Sequence, residues 1–174
     1  TLWPSMGWRR TLAYIKHRII RLPDTDERVA AGIAIGASVS FTPLLGTHFF
    51  QAMFFCWLLR ANYLAGFIGT AWGNPWTFPV LFWCSYKMGV LVFSLVGASE
   101  YVILPEETTL GYMLSHPLGL LLPSMLGSYV CGLVFFPIAY YPIYYLIKGA
   151  RTARLRVLKK AKERRAQKMA EKAG

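Results

Sequence analysis

Two short clusters of neutral polar residues interrupt otherwise apolar sequence, and they are the groups in this chain that could do chemistry. The first comprises Thr42, Thr47, His48 and Gln51, in and just after Phe41-Thr42-Pro43-Leu44-Leu45-Gly46-Thr47-His48. The second comprises Thr70, Asn74 and Thr77, within Gly69-Thr70-Ala71-Trp72-Gly73-Asn74-Pro75-Trp76-Thr77-Phe78-Pro79. No carboxylate occurs from Val29 to Ser99. General acid–base catalysis by paired carboxylates, a Ser-His-Asp arrangement and a hard-metal site therefore lack their acids in this region. His17, His48 and His116 fall in three different segments, and Cys56, Cys84 and Cys131 lack Cys-x-x-Cys spacing. No catalytic residue, metal site or cofactor is expected.

What remains is a site made of neutral donors and helix ends. A helix N-terminus carries unpaired N–H groups and a partial positive charge, so a half-helix starting at Asn74-Pro75, and another near Thr42-Pro43, would favour an anion. Asn74 is a preferred N-cap and Pro75 a preferred first helical residue. His48 has two readings: a proton-dependent charge at the site, given an ordinary pKa of about 6.5, or a neutral ring bonded to a backbone carbonyl freed by Pro43. The threonines and Asn74 likewise either meet a ligand or cap backbone groups that lipid cannot satisfy.

The elements that must position these residues are membrane helices. The chain is 55% apolar and 16% aromatic, and its apolar residues are concentrated rather than periodic. The stretches 29–59 and 61–87 are each broken by Pro and Gly, with Arg28, Arg60 and Lys87 at their bases. Arms of about 13 residues reach only ~20 Å as helix, against a hydrocarbon core of ~30 Å. Two re-entrant helical hairpins are thus expected, a pattern that points to a binding site at membrane depth. A continuous span from Pro75 to about Gly97 is the competing reading for the second stretch; it would place Lys87 in hydrocarbon, at about 2.5–3.5 kcal/mol for a central position.

The hairpin reading leaves 88–104 and 118–147 as two transmembrane spans, the latter containing Pro123, Pro137 and Pro142. The fold class is an all-α polytopic membrane protein: an amphipathic interfacial segment over 1–28, a membrane domain over 29–147 and a basic helical tail over 148–174. Trp8, Leu12, Ile15, Ile19 and Leu22 recur at helical steps while Arg9, Arg10 and Arg18 take other faces. Asp24 and Glu27 make a capping-box-like start for the next helix, in which Gly32, Gly36 and Ser40 allow close packing.

Charge sets orientation. Residues 1–28 carry six Lys/Arg, 29–147 two and 148–174 eleven, which places both termini in the cytoplasm and the acidic 100–107 connection outside. Arg154, Lys159 and Lys160, with Arg9, Arg10 and Arg18, are expected at an anionic membrane surface. Nucleic acid is disfavoured as a partner, because no base-reading residues accompany the charge.

The runs Arg-Leu-Pro-Asp at 21–24, Ala-Gly-Ile-Ala-Ile-Gly at 31–36, Ser-Phe-Thr-Pro-Leu-Leu-Gly-Thr-His at 40–48, Leu-Leu-Arg-Ala-Asn at 58–62 and the 69–79 break together resemble a bacterial membrane family, domain of unknown function two-thousand-and-sixty-two. The likeness covers about residues 8–147. It implies a bacterial inner-membrane location and no assigned reaction or ligand; some members look fused to glycosyltransferases, which hints at envelope work. The residues favour binding, and transport, of an anionic lipid or lipid-carrier phosphate at the breaks. The alternative is a non-catalytic subunit or scaffold of a larger complex, and a homo-oligomer or complex subunit is expected in either case.

Overall fold

The computed structural model describes residues 10, 19, 22–44, 46–98 and 117–173. Those residues form helices and no strand: α1 (Asp26–Val39), α2 (His48–Leu58), α3 (Tyr63–Gly69), a 3-10 turn (Thr70–Trp72), α4 (Phe78–Leu95) and α5 (Pro117–Ala173). Most of the expected amphipathic segment, Arg9 and Arg18 included, and the acidic 100–107 connection lie outside the described residues.

Helix α1 is the centre of the molecule. Val29, Ala30, Ala34, Ile35, Ala37 and Val39 are all buried along it, because it packs against α2, α3 and α5 together. Its cap is Thr25 rather than Asp24: the Thr25 hydroxyl accepts from Arg28 N–H. Asp24 accepts from the Thr25 N–H instead, which turns its carboxylate toward Arg28 and Asn62.

The α1–α2 unit is a helical hairpin. The Asn62 N–H, just after α2, donates to the Arg28 carbonyl near the start of α1 (3.0 Å), so the chain returns to the level it left. At 14 residues, α1 rises about 21 Å. Gly32, Gly36 and Ser40 pack closely as their spacing suggested, and the neighbour they admit is α3. A methyl on Gly32 would meet the Asn62 carbonyl, and one on Gly36 would overlap backbone of Gly66, Gly69 and Thr70. The Ser40 hydroxyl reaches the Thr70 carbonyl at 3.5 Å. Residue numbers rise together along both helices, so α1 and α3 are parallel.

The second expected hairpin is not formed. Helix α4 continues unbroken through Lys87 to Leu95, and its partner is α5, not α3. Methyls on Gly89 and Gly127 would collide with the carbonyls of Pro123 and Ser85 respectively. Cys131 lies 3.8 Å from the Cys84 carbonyl, so numbers rise on α4 as they fall on α5. Helix α5 also runs against α1, with Val29 beside Ile147 at one end and Phe41 beside Phe135 near the other. Helices α3 and α4 therefore both run parallel to α1, so the break at 73–77 does not fold the chain back into an antiparallel pair. Lys87 is exposed at the middle of α4, and its ammonium lies over the Trp83 ring at 4.9 Å.

Phe78–Leu95 and Leu118–Gln167 are long and apolar enough to cross a membrane. Their side chains are mostly unburied, with Leu95 78% and Leu133 77% exposed, unlike the core helices of a soluble domain. Pro123, Pro137 and Pro142 are carried inside α5, which continues without interruption into the basic tail.

Candidate functional site

The first break is knit by its own side chains. Buried Thr42 donates its hydroxyl to the Val39 carbonyl at 2.8 Å, and Thr47 donates to the Leu44 carbonyl at 2.8 Å. The Gln51 amide reaches both hydroxyls, at 3.2 Å and 2.7 Å. His48 Nε2 lies 2.9 Å from the Thr42 carbonyl; a carbonyl can only accept, so that nitrogen carries a proton. The ring thus serves the carbonyl next to Pro43.

The second break is an Asx-type turn. Asn74 Oδ1 accepts from the N–H groups of Trp76 and Thr77, both at 3.0 Å. Thr77 Oγ1 donates toward the Trp72 and Asn74 carbonyls and accepts from Asn74 N–H. Regular helix then starts at Phe78, three residues later than Asn74-Pro75 suggested, because Pro79 has no N–H to give the first turn. Thr70 donates to the Phe67 carbonyl and closes α3.

The fold brings the two breaks together. A methyl on Gly73 would press on the Ser40 side chain, and Phe135 of α5 packs against both Phe41 and Trp72. From α4, the Ser85 hydroxyl donates to the Phe41 carbonyl at 3.0 Å. Thr42, Thr47, His48 and Gln51 form one hydrogen-bonded set and Asn74 and Thr77 another, while Thr70 stands apart on the Phe67 carbonyl. Most of their polar atoms satisfy backbone. Gln51 Oε1 and Ser38 Oγ are buried and unpaired. Among the described residues no group of His, Cys, Asp and Glu could hold a metal.

Beside the first break, α1, α2 and α5 enclose an apolar cleft of about 510 Å³. Thr42 and Ser128 stand at its upper end, Leu58 and Leu59 at the base of α2, and Ser38 and Leu133 between them. Leu58, Leu59 and Leu133 are themselves exposed, so the cleft opens sideways. A smaller groove of about 310 Å³ flanks the other side of α1, bounded by Trp72, Phe135 and Pro142.

Sequence reasoning passed over this cleft, since its walls come from three separated segments and carry no motif. It also passed over the clamp at the base. The Arg151 guanidinium donates to the Leu22 carbonyl (3.0 Å), the Asp24 carbonyl (2.6 Å) and Asp26 Oδ1 (2.8 Å). Asn62 Nδ2 donates to Asp24 Oδ2 at 3.1 Å while its own oxygen caps α3. Burial works to raise the Asp24 carboxyl, but the bonds from Asn62 and the Thr25 N–H, with the Arg28 charge, outweigh it and hold it below the usual carboxylate value. Arg10, Arg154, Lys159 and Lys160 are exposed and take no part in either break.

Residues 9–156 match the family described as "Uncharacterized protein conserved in bacteria (DUF2062)", and the chain belongs to that family. No curated protein and no solved structure matches it.

Proposed function

We propose that this member of the family is a bacterial cytoplasmic-membrane protein that binds an anionic lipid or lipid-carrier phosphate, holding the lipid's apolar chain in the cleft between α1, α2 and α5. The observation that carries the reading is the cleft itself. Its volume of about 510 Å³ falls within the ~300–1,000 Å³ range of ligand sites, its walls are almost wholly apolar, and its exposed rim faces where lipid would lie. In this reading the α1–α2 hairpin enters and leaves on the cytoplasmic side. The broken path 63–95 and helix α5 cross, and both termini are cytoplasmic, in keeping with the cation excess at both ends of the chain. Carriage of the bound lipid between leaflets would use the same cleft.

The test fills the cleft. Leu133→Trp places a large ring at its rim, where Leu133 is 77% exposed and the fold has room for it. The variant should keep its melting temperature in detergent yet lose lipids that the parent retains on purification, read by native mass spectrometry. Equal retention by a normally folded Leu133→Trp protein would overturn the reading.

A further inference from the structure

Both α2 and α4 end in the same hydrogen-bonded cap, but with different residues at its strained position. At the end of α4, Ala98 N–H donates to the Phe93 carbonyl and Gly97 N–H to Ser94, with Gly97 at φ 75°. At the end of α2, Ala61 N–H donates to the Cys56 carbonyl and Arg60 N–H to Trp57, with Arg60 at φ 52°. This is the Schellman arrangement, whose left-handed residue is usually glycine because a side chain crowds its own backbone there. Among the described residues Arg60 is the one non-glycine with positive φ. A strained residue standing where glycine would fit better points to a use for its side chain.

The position suggests that use. Arg60 is exposed and follows directly on Leu58 and Leu59, which form the base end of the apolar cleft. The tip end, by contrast, is closed by Thr42 and Ser128, whose hydroxyls already donate to the Val39 and Met125 carbonyls. An exposed cation next in sequence to one end of an apolar cleft, and spent hydroxyls at the other, give the site a direction.

We infer that Arg60 is the head-group residue of this site: it pairs with the phosphate of a lipid whose chain runs from the base of α2 up the cleft toward Thr42. The inference rests on the lipid-binding reading and moves the head group away from the two breaks, to the end of the cleft where the chain meets the basic side of the membrane. A guanidinium suits a phosphate because its planar fork can donate two N–H groups to two oxygens. Arg28, near the start of α1, does not offer the same group freely, since it lies 3.6 Å from the Asp24 carboxylate.

Glycine is the substitution this backbone accepts best, so Arg60→Gly removes the charge without breaking the cap. The full chain in neutral detergent would be titrated with phosphatidylglycerol, a polyprenyl monophosphate and phosphatidylcholine, with bound lipid read by native mass spectrometry. Arg60→Gly should melt no lower than the parent, bind the anionic lipids about fivefold more weakly, the usual worth of one basic residue at a membrane surface, and leave phosphatidylcholine unchanged. Arg60→Lys should recover most of the difference. Whichever anionic lipid shows the Arg60-dependent change identifies the source of the phosphate.

If Arg60→Gly binds anionic lipids like the parent while Leu133→Trp loses every lipid, this inference fails and the cleft reading stands. An equal loss of phosphatidylcholine and anionic lipid in Arg60→Gly would also overturn it, because the residue would then serve the cleft's shape. If neither variant changes binding, both readings fall.

Discussion

At the scale of single residues, hydroxyl groups of one chemical type do unequal work. Thr42 is 1% exposed, donates to Val39 and accepts from Gln51, whereas the Thr47 hydroxyl makes comparable bonds at an exposed turn. Thr42→Val preserves shape but removes two hydrogen bonds, to the Val39 carbonyl and from the Gln51 amide, a loss of about 1–3 kcal/mol. Thr47→Val removes comparable bonds from a less buried turn, whose groups are less tightly enclosed. Thermal unfolding in detergent should therefore rank Thr42→Val clearly below Thr47→Val, and equal melting points would contradict the assigned network. Asp24 gives a second expectation. Its carboxyl is held below the ordinary value, so its contribution is complete above the unfolded pKa of about 3.9 and is lost as pH falls through the lower folded value. The parent should melt at a steady temperature from neutral pH to about pH 5 and lose stability steeply below about pH 4. Asp24→Asn should be less stable at neutral pH and less sensitive to acid. The polar residues of both breaks were legible in sequence because Pro and Gly mark local turns. Arg151 was not, since its partners lie more than a hundred residues away and nothing local in a basic tail sets one arginine apart.

At the scale of elements, glycine seams decide which helices pair. The small-residue spacing of α1 announced a close neighbour without saying which. It is α3, whose Gly66 and Gly69 face Gly36, while Gly89 and Gly127 join α4 to α5. Sequence reasoning paired the arms on either side of the second break because Lys87 looked like a base. A charge ends a span only when it has nowhere else to go, and an exposed lysine over Trp83 does not force the helix to stop. Two alanine substitutions separate close packing from backbone freedom. Gly36→Ala drives a methyl into α3 backbone and should cost about 1–3 kcal/mol or more, since neither helix can yield. Gly46→Ala meets open space, and its cost is confined to the φ of 88°, about 1–2 kcal/mol. Chemical unfolding in mixed micelles should show the larger loss for Gly36→Ala; the reverse order would mean that the α1–α3 seam is looser than described.

At the scale of the whole molecule, two long helical paths are gathered on α1 and pinned at one end. Arg151 ties α5 to the entry of α1, and Asn62 ties the exit of the hairpin to the same point through Asp24. The charge distribution led to the expectation of both termini on one side; in the structure Arg151 of α5 meets the entry of α1. What composition could not supply was the direction of residues 63–95, because a broken helix that turns back and one that continues have the same hydropathy. The antiparallel contacts of α4 with α5, and of α5 with α1, set that direction. Accessibility should reveal it in a bilayer. In a background with Cys56, Cys84 and Cys131 replaced by alanine, Thr152→Cys lies just beyond the clamp and should react with a membrane-impermeant maleimide from the cytoplasmic side. Lys87→Cys lies well past the break on a path that leads away from the clamp, and should not react from that side. Labelling of both positions from the cytoplasm would return residues 61–87 to a hairpin. Lys87→Cys silent where Thr152→Cys reacts would establish that the second break interrupts a crossing, leaving α1–α2 as the one hairpin, which with α5 walls the cleft where a lipid can lie.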